Sequence, residues 1–303
     1  MNRLVSTVIV LFAGVALAIP PRKVISAARV DKGPVVDGDL SDEVWRRAEC
    51  RSDFEDALSQ PKPFSEGRSD LRLLTDGEWL YVGVRVKSIV QLPPMEDTEW
   101  KGTFTKKFKF NWCHEIFLDP MRTRTHHYQY VVRADRTCMA QYAGDWNGAK
   151  KEVKIATKRD GDVWTLEFAF PAKGQLETGM EWGFDLMRND GYPVHSGWYV
   201  FSGPSNTPQL FAPLLIGGYK EWFALAFAKT QSRIEGYRKI FTKGFMSKQL
   251  DYCQKELDDL KGCHGRGASP INTYLRWTAN ESALNRVDDE QFLIEQGFPL
   301  ERK

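Results

Sequence analysis

The stretch Phe110-Asn-Trp-Cys-His-Glu-Ile-Phe-Leu-Asp119, closed by Pro120, decides how the chain is read. Side chains alternate along an extended strand, so Ile116 and Leu118 share one face while Glu115, Phe117 and Asp119 share the other. Asp119-Pro120 ends the strand, because proline cannot donate to a ladder and biases its neighbour away from helix. A carboxylate in mid-strand either sits on a solvated face or lines a site. Glu115 therefore carries the functional question.

Working outward, strand signals recur at short intervals on both sides. Val24 to Val30 reads as a first strand. Asp70 to Thr75 and Trp79 to Val86 flank Asp76-Gly77-Glu78, a hairpin turn, and the even positions Leu80, Val82, Val84 and Val86 form one apolar face. Downstream, His127 to Arg133 alternates, with Gln129, Val131 and Arg133 on one face and Tyr128, Tyr130 and Val132 on the other. Met139 to Ala143 is a further strand. Glu152 to Lys158 and Val163 to Phe170 flank a second hairpin turn at Arg159-Asp160-Gly161-Asp162. Trp182 to Asn189, His195 to Phe201 and Leu214-Leu215-Ile216 complete the set. About ten short strands with little helix predict a mainly β fold, an antiparallel β-sandwich of jelly-roll type over about 24–218.

Between these strands the sequence gives shorter signals. Ser41-Asp42-Glu43-Val44-Trp45-Arg46-Arg47-Ala48 predicts a short helix capped by Ser41, with Val44, Trp45 and Ala48 turned inward. Trp79, Trp164 and Trp182 also occupy positions that bury them. From Tyr219 onward helical signals replace strand signals. Tyr219 to Phe241 predicts one helix. Ser247 caps a second, in which Leu250, Cys253, Leu257 and Leu260 recur at helical spacing up to Gly262; Asp288 to Gln296 predicts a short third. The organisation expected is a signal peptide at 1–18, a β domain at 19–218 and a helical extension at 219–303.

The 42 basic and 40 acidic residues nearly cancel, which gives no electrostatic reason to expect nucleic acid or an anionic membrane surface as partner. Arg3, the apolar run Leu4 to Leu17 and Ala16-Leu17-Ala18 form a secretory signal cleaved near Ala18, so the mature chain is expected to be secreted, periplasmic or on the cell surface with no integral membrane segment. Five cysteines are present, an odd number for an oxidising compartment, with Cys253–Cys263 the nearest pair in sequence and Cys113–Cys138 a second option if their strands are neighbours. His114, His126, His127 and His195 match no metal-ligand spacing. Asn280-Glu281-Ser282 is a glycosylation sequon.

Several segments, in order, resemble the family nine carbohydrate-binding modules attached to xylanases. They are Pro34-Val-Val-Asp-Gly-Asp-Leu-Ser-Asp-Glu-Val-Trp45, Leu73-Leu-Thr-Asp-Gly-Glu-Trp-Leu-Tyr-Val82, His114-Glu-Ile-Phe-Leu-Asp119, Trp164-Thr-Leu-Glu-Phe-Ala-Phe-Pro171, Trp182-Gly-Phe-Asp-Leu-Met-Arg-Asn-Asp190 and Phe211-Ala-Pro-Leu214. The resemblance implies a β-sandwich that holds a sugar between tryptophans while charged and amide groups bond its hydroxyls. It assigns the family glutamate to Glu115 and the amide-aromatic step to Gln129-Tyr130. The arginine that follows in the family is Val131 here, and Arg133, on the same face as Gln129, takes its place. The family's two tryptophans have no counterpart at the same spacing; Trp100, Trp112, Trp146 and Trp198 stand in adjacent segments. Calcium is a structural ion in that family, and Asp/Asn-rich turns leave room for one here; no other cofactor is implied.

The reading is an exported, non-catalytic carbohydrate-binding protein serving carbohydrate catabolism, with a polysaccharide-degrading enzyme as a partner. Its expected contacts are Glu115, Gln129, Arg133, Trp112, Trp198, Arg188 and Asn189, the last two at a strand end near loops. Two alternatives stand beside it. One is a scaffold that has lost the sugar site and works through its helical tail. The other is a glycoside hydrolase using Glu115 with Asp145, Glu167 or Asp185 across a cleft.

Overall fold

The alternation read in the sequence builds the strands of the protein. The computed structural model describes residues 21, 23–56, 68–87, 113–133, 137–145, 148–150, 152–189, 195–197 and 207–296. The strands are β1 (Ile25–Arg29), β2 (Glu55–Asp56), β3 (Arg68–Thr75), β4 (Trp79–Lys87), β5 (Cys113–Asp119), β6 (Tyr128–Arg133), β7 (Cys138–Tyr142), β8 (Lys154–Asp160), β9 (Val163–Pro171), β10 (Glu181–Asn189), β11 (His195–Gly197) and β12 (Ala212–Gly217). Three helices follow, α1 (Tyr219–Arg238), α2 (Phe245–Gly265) and α3 (Pro270–Glu295).

All the strands join one sheet in the order β7-β6-β5-β10-β12-β1-β3-β4-β9-β8, with β11 and β2 attached beside β10. The expected antiparallel sandwich is corrected on two points: the strands form one sheet rather than two facing ones, and β1 runs parallel to both neighbours, pairing Ile25 with Leu214 and Ala28 with Leu74. The N-terminal strand closes the gap between the last strand and the β3–β4 hairpin, so the sheet is continuous and mixed. It curls into a half-barrel. The Tyr130 ring of β6 lies 4.9 Å from Phe168 of β9, and Tyr128 lies 5.0 Å from Phe170, although these strands sit near opposite ends of the path.

The inner face is the main core, lined by Leu80, Val82, Val84 and Val86 of β4, Ile116 and Leu118 of β5, and Trp182, Phe184 and Leu186 of β10. The β3–β4 turn needs glycine: Gly77 has φ +93, and a Cβ there would run into the Arg29 guanidinium. Asp76 Oδ1 closes that turn by accepting from the Glu78 and Trp79 amides at 2.9 and 2.8 Å.

The outer face is covered in two places. Over β3, β4 and β9, the segment 30–48 packs Val30, Trp45 and Ala48 onto Leu74, Tyr81 and Ala169. Its short turn is a 3-10 helix, Glu43–Arg47, with no side-chain cap, so Ser41 does not play the expected part. Over β1 and β12, the helices bury Trp222, Phe223, Phe227, Leu250, Leu257 and Leu284 against Val24 and Leu215. Full burial of such side chains contributes about 1.5–3 kcal/mol each. The tail therefore spends much of its apolar surface on this chain's own sheet.

Leu250, Cys253, Leu257 and Leu260 are fully buried on α2, as the spacing requires, but the helix starts at Phe245 behind Gly244 rather than at Ser247. The third helix is far longer than expected, beginning with Pro270 at its first turn. Both disulfide expectations fail on geometry. Cys253 and Cys263 lie ten positions apart on α2, a rise of about 15 Å where a bridge needs Cα atoms within about 7 Å. Cys113 and Cys138 are separated by β6 and belong to clusters on opposite faces of the sheet. The sequon asparagine is also unsuited to glycosylation: Asn280 is 2% exposed and its Nδ2 donates to the Cys253 carbonyl at 3.1 Å.

One part-buried polar cluster ties helices to sheet. Arg122, in the turn after β5, donates to Glu181 of β10 and to the Tyr274 hydroxyl of α3, and Tyr274 donates to Glu181 Oε1 at 2.8 Å. Burial works against the charge on Arg122, but Glu181 and Tyr274 outweigh it and raise its pKa. Glu181→Ala leaves that guanidinium buried without its carboxylate, and urea unfolding should show a loss of about 3–5 kcal/mol. A loss under 1 kcal/mol would remove this cluster from the account of how the tail is held.

Candidate functional site

The third part of the outer face, over β5, β6, β7 and β10, is where the sequence placed its site. Register fixes the neighbours. Glu115 faces Val131 and Met187, Phe117 faces Gln129 and Asp185, and Cys113 faces Arg133 and Asn189. Gln129 in turn faces Gln141, and Val131 faces Met139. Glu115, Gln129, Arg133 and Asn189 thus share one face, as parity alone predicts for the first three.

This face is not a solvated surface. Phe117 is fully buried, packed 5.8 Å from the His127 ring and 5.7 Å from Phe211, and Asp119 is 1% exposed. Asp119 caps the turn that follows, accepting from the amides of Thr123 and Arg124 at 2.9 and 2.7 Å. Cys113, Val131 and Met139 form a small buried cluster beyond Glu115. Between the two, Glu115 is half-buried, and Gln129 Nε2 donates to its Oε2 at 2.9 Å. Gln141 Nε2 donates to the Gln129 carbonyl oxygen, which extends the chain of bonds over three strands. Burial pushes the Glu115 carboxyl above its ordinary pKa, and the Gln129 bond partly opposes that shift. Sequence reasoning passed over Gln141, although it stands within an expected strand; only the β6–β7 register shows that it meets Gln129.

Arg188 does not join this group. It shares parity with Trp182, Phe184 and Leu186, so its fully buried side chain points to the inner face, where Nη1 donates to Ser69 Oγ at 3.1 Å. Beside it lies His114, paired with Arg188 across the strands and also fully buried, with its ring 4.4 Å from Trp164. Neither His114 nitrogen has a hydrogen-bond partner. Burial, then the nearby Arg188 charge, brings its pKa down to about 3. Trp112 and Trp198 lie outside the described residues, as do Trp100 and Trp146. Trp112 immediately precedes β5, and Trp198 immediately follows β11, which pairs with β10 beside Met187 and Arg188.

Of the carboxylates that a hydrolase would pair with Glu115, Glu167 is already engaged. It is 1% exposed and accepts from Trp45 Nε1 and from the Asp37 and Gly38 amides, each at 2.8 Å. Among the described residues no group of three or more His, Cys, Asp or Glu side chains is placed to hold a metal ion.

Residues 36–206, which contain both the Glu167 anchor and the Glu115 face, match the model of the carbohydrate family 9 binding domain-like family. The chain belongs to that family. Residues 36–206 are therefore a domain of carbohydrate-binding type. Among solved structures, a family 9 carbohydrate-binding module from Caldicellulosiruptor kristjanssonii in complex with cellotriose covers 65% of this chain and 94% of its own, at 20% identity and a TM-score of 0.48. The same organism's module in complex with glucose covers 65% and 96%, at 20% identity and a TM-score of 0.49. No curated protein matches the chain in sequence. The helices 219–295 lie beyond the matched residues of the family 9 domain.

Proposed function

We propose that this is an exported protein that binds a polysaccharide or oligosaccharide on the outer face of β5, β6, β7 and β10. The observation that carries the reading is the half-buried Glu115, held by Gln129, on a domain of a carbohydrate-binding family. A carboxylate oxygen and an amide row suit sugar hydroxyls, which donate and accept at one edge. Arg133 and Asn189 share the face and supply further polar contacts. Trp112 and Trp198, next in sequence to β5 and β11, are the stacking residues of this reading, because the axial C–H face of a sugar is apolar. Export follows from the N-terminal signal, and the role is carbohydrate catabolism alongside a polysaccharide-degrading enzyme.

A glycan-binding screen of the mature chain, with cellotriose and glucose included, followed by calorimetry on the best ligand, tests this. Glu115→Ala is expected to weaken that ligand about 10–100-fold, the worth of about 1.5–3 kcal/mol for a hydrogen bond to a charged group. No binding by the wild-type chain, or an unchanged Kd in the variant, sinks the proposal.

A further inference from the structure

Three polar side chains from three neighbouring strands run in line across the candidate face: Gln141 of β7, Gln129 of β6 and Glu115 of β5. Gln141 donates to Gln129, and Gln129 donates to Glu115 Oε2 at 2.9 Å. The direction of this relay follows from donor chemistry. An ionised carboxylate only accepts, so Gln129 must present its NH2 group to Glu115; its carbonyl then faces Gln141, which has to donate. The relay uses one oxygen of Glu115 and leaves Oε1 of Glu115 and Oε1 of Gln141 as acceptors at its two ends, on side chains that are both half-buried.

We infer that Gln141 is a positioning residue of the sugar site: it locks the Gln129 amide in the donating direction, so that the relay offers its two terminal acceptors to hydroxyls of a neutral saccharide. The inference rests on the carbohydrate reading above. An acidic sugar is disfavoured, because its carboxylate brings no donor to either end and meets the Glu115 charge. With Gln141 in place, the Gln129 donor also favours the ionised form of Glu115. Without it the amide is free to turn, and Glu115 loses that support.

The test uses the mature chain and two substitutions, Gln141→Met, which keeps the length without the amide, and Gln141→Ala, which keeps the comparison if the first variant does not fold. The neutral glycan bound best by the wild type should bind at least fivefold more weakly to either variant. The Glu115 carboxyl, followed by carbon-13 NMR, should titrate at higher pH than in the wild type. The other ionisable groups of this face, Cys113 and Asp119 of β5, His127 just before β6, Arg133 of β6 and Asp185 of β10, are the same in all three proteins, so the shift reports the relay. A purely structural role for Gln141 would change stability without moving that titration. Unchanged affinity together with an unchanged Glu115 titration overturns the inference while the carbohydrate reading stands. A polyuronate bound as tightly as the neutral glycan overturns the ligand class. If the wild type binds no glycan, the carbohydrate reading fails, and the Glu115 titration still decides whether Gln141 sets the relay.

Discussion

Acidification from pH 6.5 to about pH 3 is expected to remove about 4 kcal/mol of folding stability through His114 alone, most of what the interval between its ordinary pKa and the value of about 3 in the fold supplies. The sign follows from which state binds the proton. In the unfolded chain the imidazole is half-protonated at pH 6.5; in the fold, burial first and the Arg188 charge second keep it neutral. The unfolded state therefore binds more protons over this range. The stability contribution is complete above pH 6.5 and is lost progressively as the pH falls, about 2 kcal/mol of it by pH 5. Urea midpoints measured from pH 7.5 to pH 4 should fall more steeply for the wild type than for His114→Leu, which keeps an apolar side chain against Trp164. Parallel pH profiles for the two proteins would show that His114 is not the group responsible.

Glu167→Ala is expected to be the most damaging single substitution outside the apolar core, at about 3–6 kcal/mol. Three donors converge on this buried carboxylate: the Trp45 indole and the Asp37 and Gly38 amides. Truncation leaves all three without an acceptor, and each stranded buried donor costs about 1–3 kcal/mol. The backbone cannot turn away to find water. Gly38 stands at φ +90, and a Cβ added there would meet the Thr157 backbone carbonyl carbon at 2.7 Å, so the chain is held close against β8. Loss of the anchor should free segment 30–48 from β3, β4 and β9, so hydrogen exchange at those strands should rise along with the drop in urea midpoint. A loss below 1 kcal/mol would mean that the apolar contacts of Trp45 hold the segment without the carboxylate.

Much of this was legible from side-chain parity. Ile116 and Leu118 on one face of β5, and Leu80 to Val86 on one face of β4, needed only the two-residue period of a strand. Parity also holds the clue to Arg188, which falls in step with Trp182, Phe184 and Leu186, but a charged residue near a strand end reads as a loop-facing one. Its long side chain is tolerated inside because Ser69 meets it across the barrel. What parity does not specify is neighbours. The parallel insertion of β1 between β12 and β3 depends on a partner strand almost two hundred residues away, and the burial of Phe117 beneath Phe211 on a residue more than ninety positions on.

The helical tail shows a different limit. The stripe of α2 is apolar at each buried turn, whereas α3 buries Thr273, Tyr274, Asn280, Leu284 and Val287. Polar residues at two of those positions hide the period from a hydrophobicity reading. They are paid for by specific bonds: Thr273 Oγ1 to the Ser269 carbonyl and Asn280 Nδ2 to the Cys253 carbonyl, each at 3.1 Å. Pro270 in the first turn was the remaining signal for this helix. At the candidate site, sequence placed Glu115 and Gln129 on a common face, but the third member of their relay emerged only from the β6–β7 register.

The most direct test of the central claim is a crystal structure of the mature chain with the best glycan from the screen. The account predicts a sugar unit on the outer face of β5, β6, β7 and β10, with a hydroxyl within hydrogen-bond distance of Glu115 Oε1. A glycan bound elsewhere, with the Glu115–Gln129–Gln141 row facing only solvent, would contradict it.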